Sequence, residues 1–423
     1  MKDPETQSDR VATADPLLAP PTSAPQPPRL RDELPPLRPS LLDISPVSRR
    51  MENLDALRIL AMLVIIITHV TEPFIEAAQK RGQSTSPLAL AVLAINVMGR
   101  FGVPCFMMIS FYIYWHQLYE KGRTWGELLR RRLRRLVPAF VVWTAFYFLI
   151  HRKLYHLYGN AAYYTPLSET GYSIFKLRTW TALALGQAEY HLYYLPLVIQ
   201  CLLCIPLLRL LWRRPAISWM WIGATALAWT LMIYGPVMFA EHSTGVKITD
   251  RLQRVLHQPW AVPFLIFPLF GMMCAGQKPL RQFLARSSTG FWVGLLVFGL
   301  ALHAAESIFL TYRRPGDLIR IAVFMKPGRI LTGFAVFGLF MRNPMMRDPQ
   351  PRMSHYAFGL HFMHPSIIIA LSLIELKLLG PSVAHFERMA VPMLAINLVL
   401  TVSITFGLCL IVGRIKRLEF LVV

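Results

Sequence analysis

Asn53-Leu54-Asp55-Ala56-Leu57-Arg58-Ile59-Leu60-Ala61-Met62-Leu63-Val64-Ile65-Ile66-Ile67-Thr68-His69-Val70 decides the fold. Ten residues, nine of them apolar and the last Thr68, separate Arg58 from His69. At 3.6 residues per turn, eleven positions bring a helix back to within roughly 20° of the same face, about 16 Å along. Arg58 and His69 therefore share one stripe, and Asp55 lies one turn before Arg58. A helix this apolar belongs in a bilayer, where ionisable groups are costly and face partners or a water-filled interior. Asp55 and Arg58 also read as an interfacial ion pair. His69 lies deeper, toward the far end, and histidine is the usual general base near neutral pH.

Outward from this segment the pattern repeats. Of 423 residues, 54% are hydrophobic and 16% charged, against about a quarter charged in a soluble domain. Ten apolar segments are expected as spans, near 54–75, 88–115, 137–151, 191–211, 216–239, 259–277, 290–310, 328–342, 354–375 and 389–413. The fold class is all-α, a polytopic membrane bundle of about ten helices with short loops. The stretch 174–188 is too short and polar to span and reads as an interfacial or re-entrant helix. Residues 1–50 hold 11 of the 32 prolines and read as a disordered cytoplasmic tail. Residues 51–417 form the membrane domain, and 418–423 a short cytoplasmic end.

The net charge of +21 invites a nucleic-acid reading, but no such motif accompanies it. The basic residues are instead denser in the even-numbered loops and the C-terminus than in the odd-numbered loops, a modest bias of the kind cytoplasmic loops carry. Both termini are therefore expected in the cytoplasm. The densest cluster is Arg130-Arg131-Arg132-Leu133-Arg134-Arg135, which reads as a topology anchor or as a phosphate site, because guanidinium forks hold phosphate in pairs of hydrogen bonds. One outer loop, 311–329, is unusually basic. The five cysteines fall in apolar segments and read as packing residues, with no disulfide. Val103 to Ser110 places a proline and a hydroxyl in an apolar helix, which suggests a kink and a buried Ser110. His191, His361 and His364 join His69 at membrane depth. Each singly reads as a hydrogen-bonded core residue; their spacing matches no zinc set, and no metal is expected. Glu306 is an isolated acid near the outer end of the seventh span, expected to pair with an arginine of the following loop.

These residues, in this order, resemble the membrane-bound acyltransferase family 3. Its Arg-x10-His is Arg58 and His69. Its "VPLFFMISGYL" resembles Val103 to Ile113, and its "RxxRIxP" resembles Arg132 to Pro138. Its "HLWFL…P" is similar to His191–Leu195 with Pro206, and its "S…GIYLxHP" to Ser354, Gly359-Leu360 and His364-Pro365. The likeness covers about residues 51–417 and is nearest the group containing the enterobacterial common antigen O-acetyltransferase and exopolysaccharide acyltransferases. Ile59, Phe111, Tyr193 and His361 depart from the usual residues.

The resemblance implies an O-acyltransferase of the bacterial cytoplasmic membrane. It would move acetyl, or another short acyl group, from cytoplasmic acyl-CoA to a hydroxyl of a cell-surface or exported glycan. His69 would be the base, with Arg58 orienting the donor and Asp55 holding Arg58. Arg131, Arg132 and Arg135 would bind acyl-CoA, and Ser110, His191, His364 and Glu306 are further pocket candidates. The 311–329 loop would hold acidic or phosphorylated parts of the acceptor. Polysaccharide synthesis or export machinery, or a second copy of the chain, would be further partners. A multi-span transporter of polysaccharide or lipid-linked sugar is the alternative, and a scaffold with a docking tail the third reading.

Overall fold

A computed structural model describes residues 47–158, 167, 172–238, 261–313, 321, 325–342, 354–379 and 383–422. Residues 1–46, which hold most of the expected tail, lie outside the described residues, and helix begins at Val47, inside the expected 1–50 boundary.

Each of the ten apolar segments is helical, and the described residues contain no strand. Helix α1 is Val47–Lys80. Helices α2 (Pro87–Met98) and α3 (Gly102–Tyr119) follow, and then α4 (Trp125–Tyr158). The short α5 (Leu177–Ala184) precedes α6 (Tyr194–Leu203) and α7 (Ile205–Trp212). Next come α8 (Pro215–Met238), α9 (Ala261–Phe264), α10 (Ile266–Gly276) and α11 (Lys278–Arg286). The chain continues through α12 (Thr289–Arg313), α13 (Pro327–Arg342), α14 (Ala357–Leu379) and α15 (Val383–Arg414).

Seven helices among the described residues are long and apolar enough to cross a bilayer. The pair α6–α7, bent by 60° at Cys204 with Pro206 in the first turn beyond, is apolar enough for an eighth crossing if it forms one broken span rather than a re-entrant loop. The other two expected spans, Val262–Gly276 and α13, are shorter than the roughly 20 residues a lone crossing needs. Their surroundings explain why: every residue from Ile266 to Ala275 is buried, as is most of α13, so other helices rather than lipid meet their flanks. In α5 and the turn before it, Phe175, Leu177 and Trp180 are exposed, an apolar face of the kind an interfacial helix carries.

The segment 88–115 is one span, as expected, within Pro87–Tyr119, but it is interrupted at an unexpected place. Its break is not at Pro104, which sits in the first turn of α3, where the missing N–H has no helical acceptor to lose. The break is the 3-10 turn Gly99–Phe101. There the two flanking glycines press the backbone against α1. A Cβ on Gly102 would lie 2.6 Å from Ala61 O and 2.7 Å from Ile65 Cγ1, and one on Gly99 2.7 Å from Val64 O. This close crossing is what carries Arg100 to α1. Gly102→Ala is expected to lower stability by about 1–3 kcal/mol, read as a fall in Tm in detergent. Gly223→Ala, where a Cβ meets nothing within 4 Å, should leave Tm unchanged.

The short end after α15 is packed. Val422 is buried and its carbonyl accepts the Gly359 N–H at 3.0 Å, while Leu421 O accepts Trp143 Nε1–H at 3.3 Å. This ties the C-terminal residues to α14 and α4, two walls of the site.

Candidate active site

A cavity of about 370 Å³ opens between α1, α3, α4, α6 and α14. Its polar wall is Arg58, Arg132 and Arg135 with Ser110, Tyr114 and Tyr194. Ile65, Val103, Phe106 and Phe358 form its apolar wall, and Ser354, His355 and His361 complete it from the α14 side. The stripe on α1 and the arginine cluster at the start of α4 thus meet in one space. Asp55 pairs with Arg58 beside it, both side chains half-buried. Among the described residues no carboxylate lines the cavity, and the three guanidinium groups make its field positive. Arg132 packs its guanidinium 4.8 Å over the Tyr114 ring, and its buried Nε has no hydrogen-bond partner among the described residues. Arg131 is exposed and takes no part in the wall.

Along α1 from Arg58, past Ile65, lies a second constellation. His69 Nδ1 is 2.9 Å from Glu72 Oε2. The other Glu72 oxygen accepts from Arg100 at 2.7 Å, and Arg100 Nε donates to Asn96 Oδ1 at 3.0 Å. Asn96 in turn donates to Thr68 O and Thr71 Oγ1, at 2.7 and 2.8 Å, so α2 is latched to α1 at the base. A carboxylate on Nδ1 keeps the proton there and leaves Nε2 as the acceptor, and it stabilises the imidazolium once a proton is taken.

Sequence reading missed Glu72 and Arg100. Signals existed. Glu72 is three residues after His69 and so on its face, and Arg100 is the single Lys, Arg, Asp or Glu of 87–119, which at membrane depth demands a carboxylate.

The other histidines gather on the same spot. The His69 ring is stacked 5.4 Å from His364 and lies 4.3 Å from the Tyr190 ring. His191 is 5.6 Å from His364 and 5.3 Å from His361. Beside them a buried His151–Glu189 pair closes at 2.5 Å, and Glu189 also accepts the Tyr190 N–H at 3.0 Å.

Glu306 lies apart from the cavity wall. Its Oε2 accepts the Gly328 N–H at 3.1 Å. Among the described residues its partners are this amide, the Tyr234 hydroxyl and the charge of Lys326 rather than an arginine. Of the three described cations of the basic loop, Arg313 is exposed with its guanidinium 5.6 Å over the Phe309 ring, and the other two differ from the expectation. Lys326 and Arg329 are buried, not presented outward. Lys326 donates to Ser307 Oγ and to Ile321 O, and Arg329 Nε donates to Arg100 O at 3.0 Å. Such buried cations need fixed acceptors, and here the protein supplies them. Arg314 and Arg320 lie outside the described residues. Ile59 and Phe111 are buried away from the cavity wall, Phe111 edge-on to Tyr114 at 5.2 Å.

The arrangement is a cationic pocket at one end of a buried polar row and a carboxylate-held imidazole at the other. That suits binding an anionic donor and removing a proton from an acceptor. The chain has no match among curated proteins and none among solved structures. Residues 51–414, however, match the family described as an acyltransferase domain. On that match and on the helical membrane bundle, the chain is a multi-pass membrane acyltransferase and belongs to acyltransferase family 3.

Proposed function

We propose that this protein transfers an acetyl or other short acyl group from cytoplasmic acyl-CoA to a glycan hydroxyl. The observation that carries this reading is the cavity in which Arg58, Arg132 and Arg135 converge with no carboxylate among the described lining residues. An anionic donor satisfies such a field, and the unpartnered Arg132 Nε is a donor waiting for phosphate oxygen. The coenzyme A phosphates sit at Arg132 and Arg135, and Arg58, steadied by Asp55, orients the donor. The acyl end passes Ser110 into the apolar wall at Ile65, Val103 and Phe106, which fits a short chain. On the other side the acceptor hydroxyl reaches His69. Nε2 takes its proton, the oxygen attacks the thioester carbonyl, and the C–S bond breaks with the electron pair leaving on sulfur. Glu72, backed by Arg100, holds the imidazole ready.

In this reading the protein sits in a bacterial cytoplasmic membrane with both termini inside. Its acceptor is a lipid-linked or growing glycan, handed over by polysaccharide synthesis or export machinery. The test uses purified protein, radiolabelled acetyl-CoA and a bacterial membrane glycolipid extract. Label in the glycan fraction is expected. If neither acetyl-CoA nor succinyl-CoA donates or binds, the donor assignment fails.

A further inference from the structure

The cavity and His69 stand at the two ends of a row of imidazoles. His361 is in the cavity wall. His191 bridges it to His364, and His364 stacks on His69. His191, His361 and His364 are 1%, 6% and 0% exposed. His364 Nδ1 lies 2.9 Å from Leu360 O and donates to it, so its Nε2 is an acceptor. Nε2 of His361, Nε2 of His364 and both ring nitrogens of His191 have no hydrogen-bond partner among the described residues.

Buried polar atoms are almost always paired, with water where protein does not reach. Four unpaired nitrogens in one cluster define a site with the polar partners that buried water requires. Two adjoining groups are engaged by protein through the Tyr147 hydroxyl and His151 Nε2. Tyr147 donates to Phe362 O at 2.5 Å and accepts the Ser366 N–H at 3.2 Å, and His151 is paired with Glu189. Nδ1 of His69 is held by Glu72. The histidine row offers a proton on His69 a path to the cavity.

We propose that His364, His191 and His361, bridged by water, return the proton taken by His69 to the coenzyme A thiolate released in the cavity. This rests on the acyl-transfer reading above. The acceptor oxygen bonds to the acyl carbon, the C–S bond breaks, and the electron pair leaves on sulfur. The proton passes from the hydroxyl to His69, along the row, and onto that sulfur. The donor departs as the free thiol, and His69 is neutral again. Nothing is oxidised or reduced.

The relay separates the first turnover from those that follow. With His191→Phe, a ring of similar size without nitrogen, the first acyl transfer proceeds while His69 resets slowly. The experiment uses the full chain in liposomes with labelled acetyl-CoA and glycolipid extract, once with enzyme in excess and once with donor in excess. Expected are an unchanged single-turnover rate, a steady-state rate lower by about 10-fold or more, and a larger solvent deuterium isotope effect on kcat. If His191→Phe does not fold, His191→Leu is measured the same way. Steady-state turnover equal to wild type overturns the relay and leaves acyl transfer standing. So does equal loss of both rates with acetyl-CoA binding intact. A wild-type protein that transfers nothing removes the acyl-transfer reading, and the relay falls with it.

Discussion

His69→Ala is expected to lower acyl transfer about 10²- to 10⁴-fold, the usual contribution of a positioned general base, while acyl-CoA binding is retained. The separation follows from geometry. His69 is outside the wall of the cationic cavity, so its loss leaves the donor's contacts in place. It also removes the group that deprotonates the acceptor. Glu72→Gln should lie between the variant and wild type. The amide still reaches Nδ1 of His69, but it carries no charge to stabilise the imidazolium, and its NH₂ group favours the wrong tautomer. It also leaves Arg100 without its carboxylate. The measurement is single-turnover transfer set beside equilibrium binding of acetyl-CoA. A variant that loses both in proportion would assign His69 to donor binding instead.

Arg132→Ala is expected to raise KM for acyl-CoA by roughly 10- to 100-fold, since a hydrogen bond to a charged partner is worth about 1.5–3 kcal/mol. Saturating rates should change less, because the contact is made before and during the reaction alike. Removing the guanidinium also strips the Tyr114 ring of its cation. Arg131→Ala is the internal control. Its side chain is exposed and off the cavity wall, so KM should stay at the wild-type value. Arg58→Ala should be harsher, because it removes a cation of the cavity wall and the ion-pair partner of Asp55 together. Asp55→Asn in the same chain should recover part of the loss. Equal effects of Arg131→Ala and Arg132→Ala would make the cluster a general surface charge rather than a pocket.

Much of the architecture was legible in the residues because the bilayer imposes it. Only a helix satisfies its own backbone in hydrocarbon, so each apolar run in the sequence became one. The shared face of Arg58 and His69 was legible for the same reason, since helix geometry fixes it. Contacts between helices were not legible. Nothing in the order of residues says that Gly99 and Gly102 dock on Ala61–Thr68, yet that crossing brings Arg100 to Glu72. Charge density misled at 311–329. Lys326 and Arg329 looked like an outer binding surface, but they are buried and occupied by Ser307, Ile321 and Arg100. The short spans Val262–Gly276 and Pro327–Arg342 were legible as helices, but not as interior ones. Hydropathy cannot tell a lipid-facing flank from a protein-facing one.

The most direct test of the central claim is an electron cryomicroscopy structure of the protein with a non-hydrolysable acetyl-CoA analogue. Expected is density in the cavity with phosphates against Arg132 and Arg135, and the acyl end past Ser110, pointing along α1 toward His69. Density at any other face, or a ligand whose acyl end points away from His69, would contradict it.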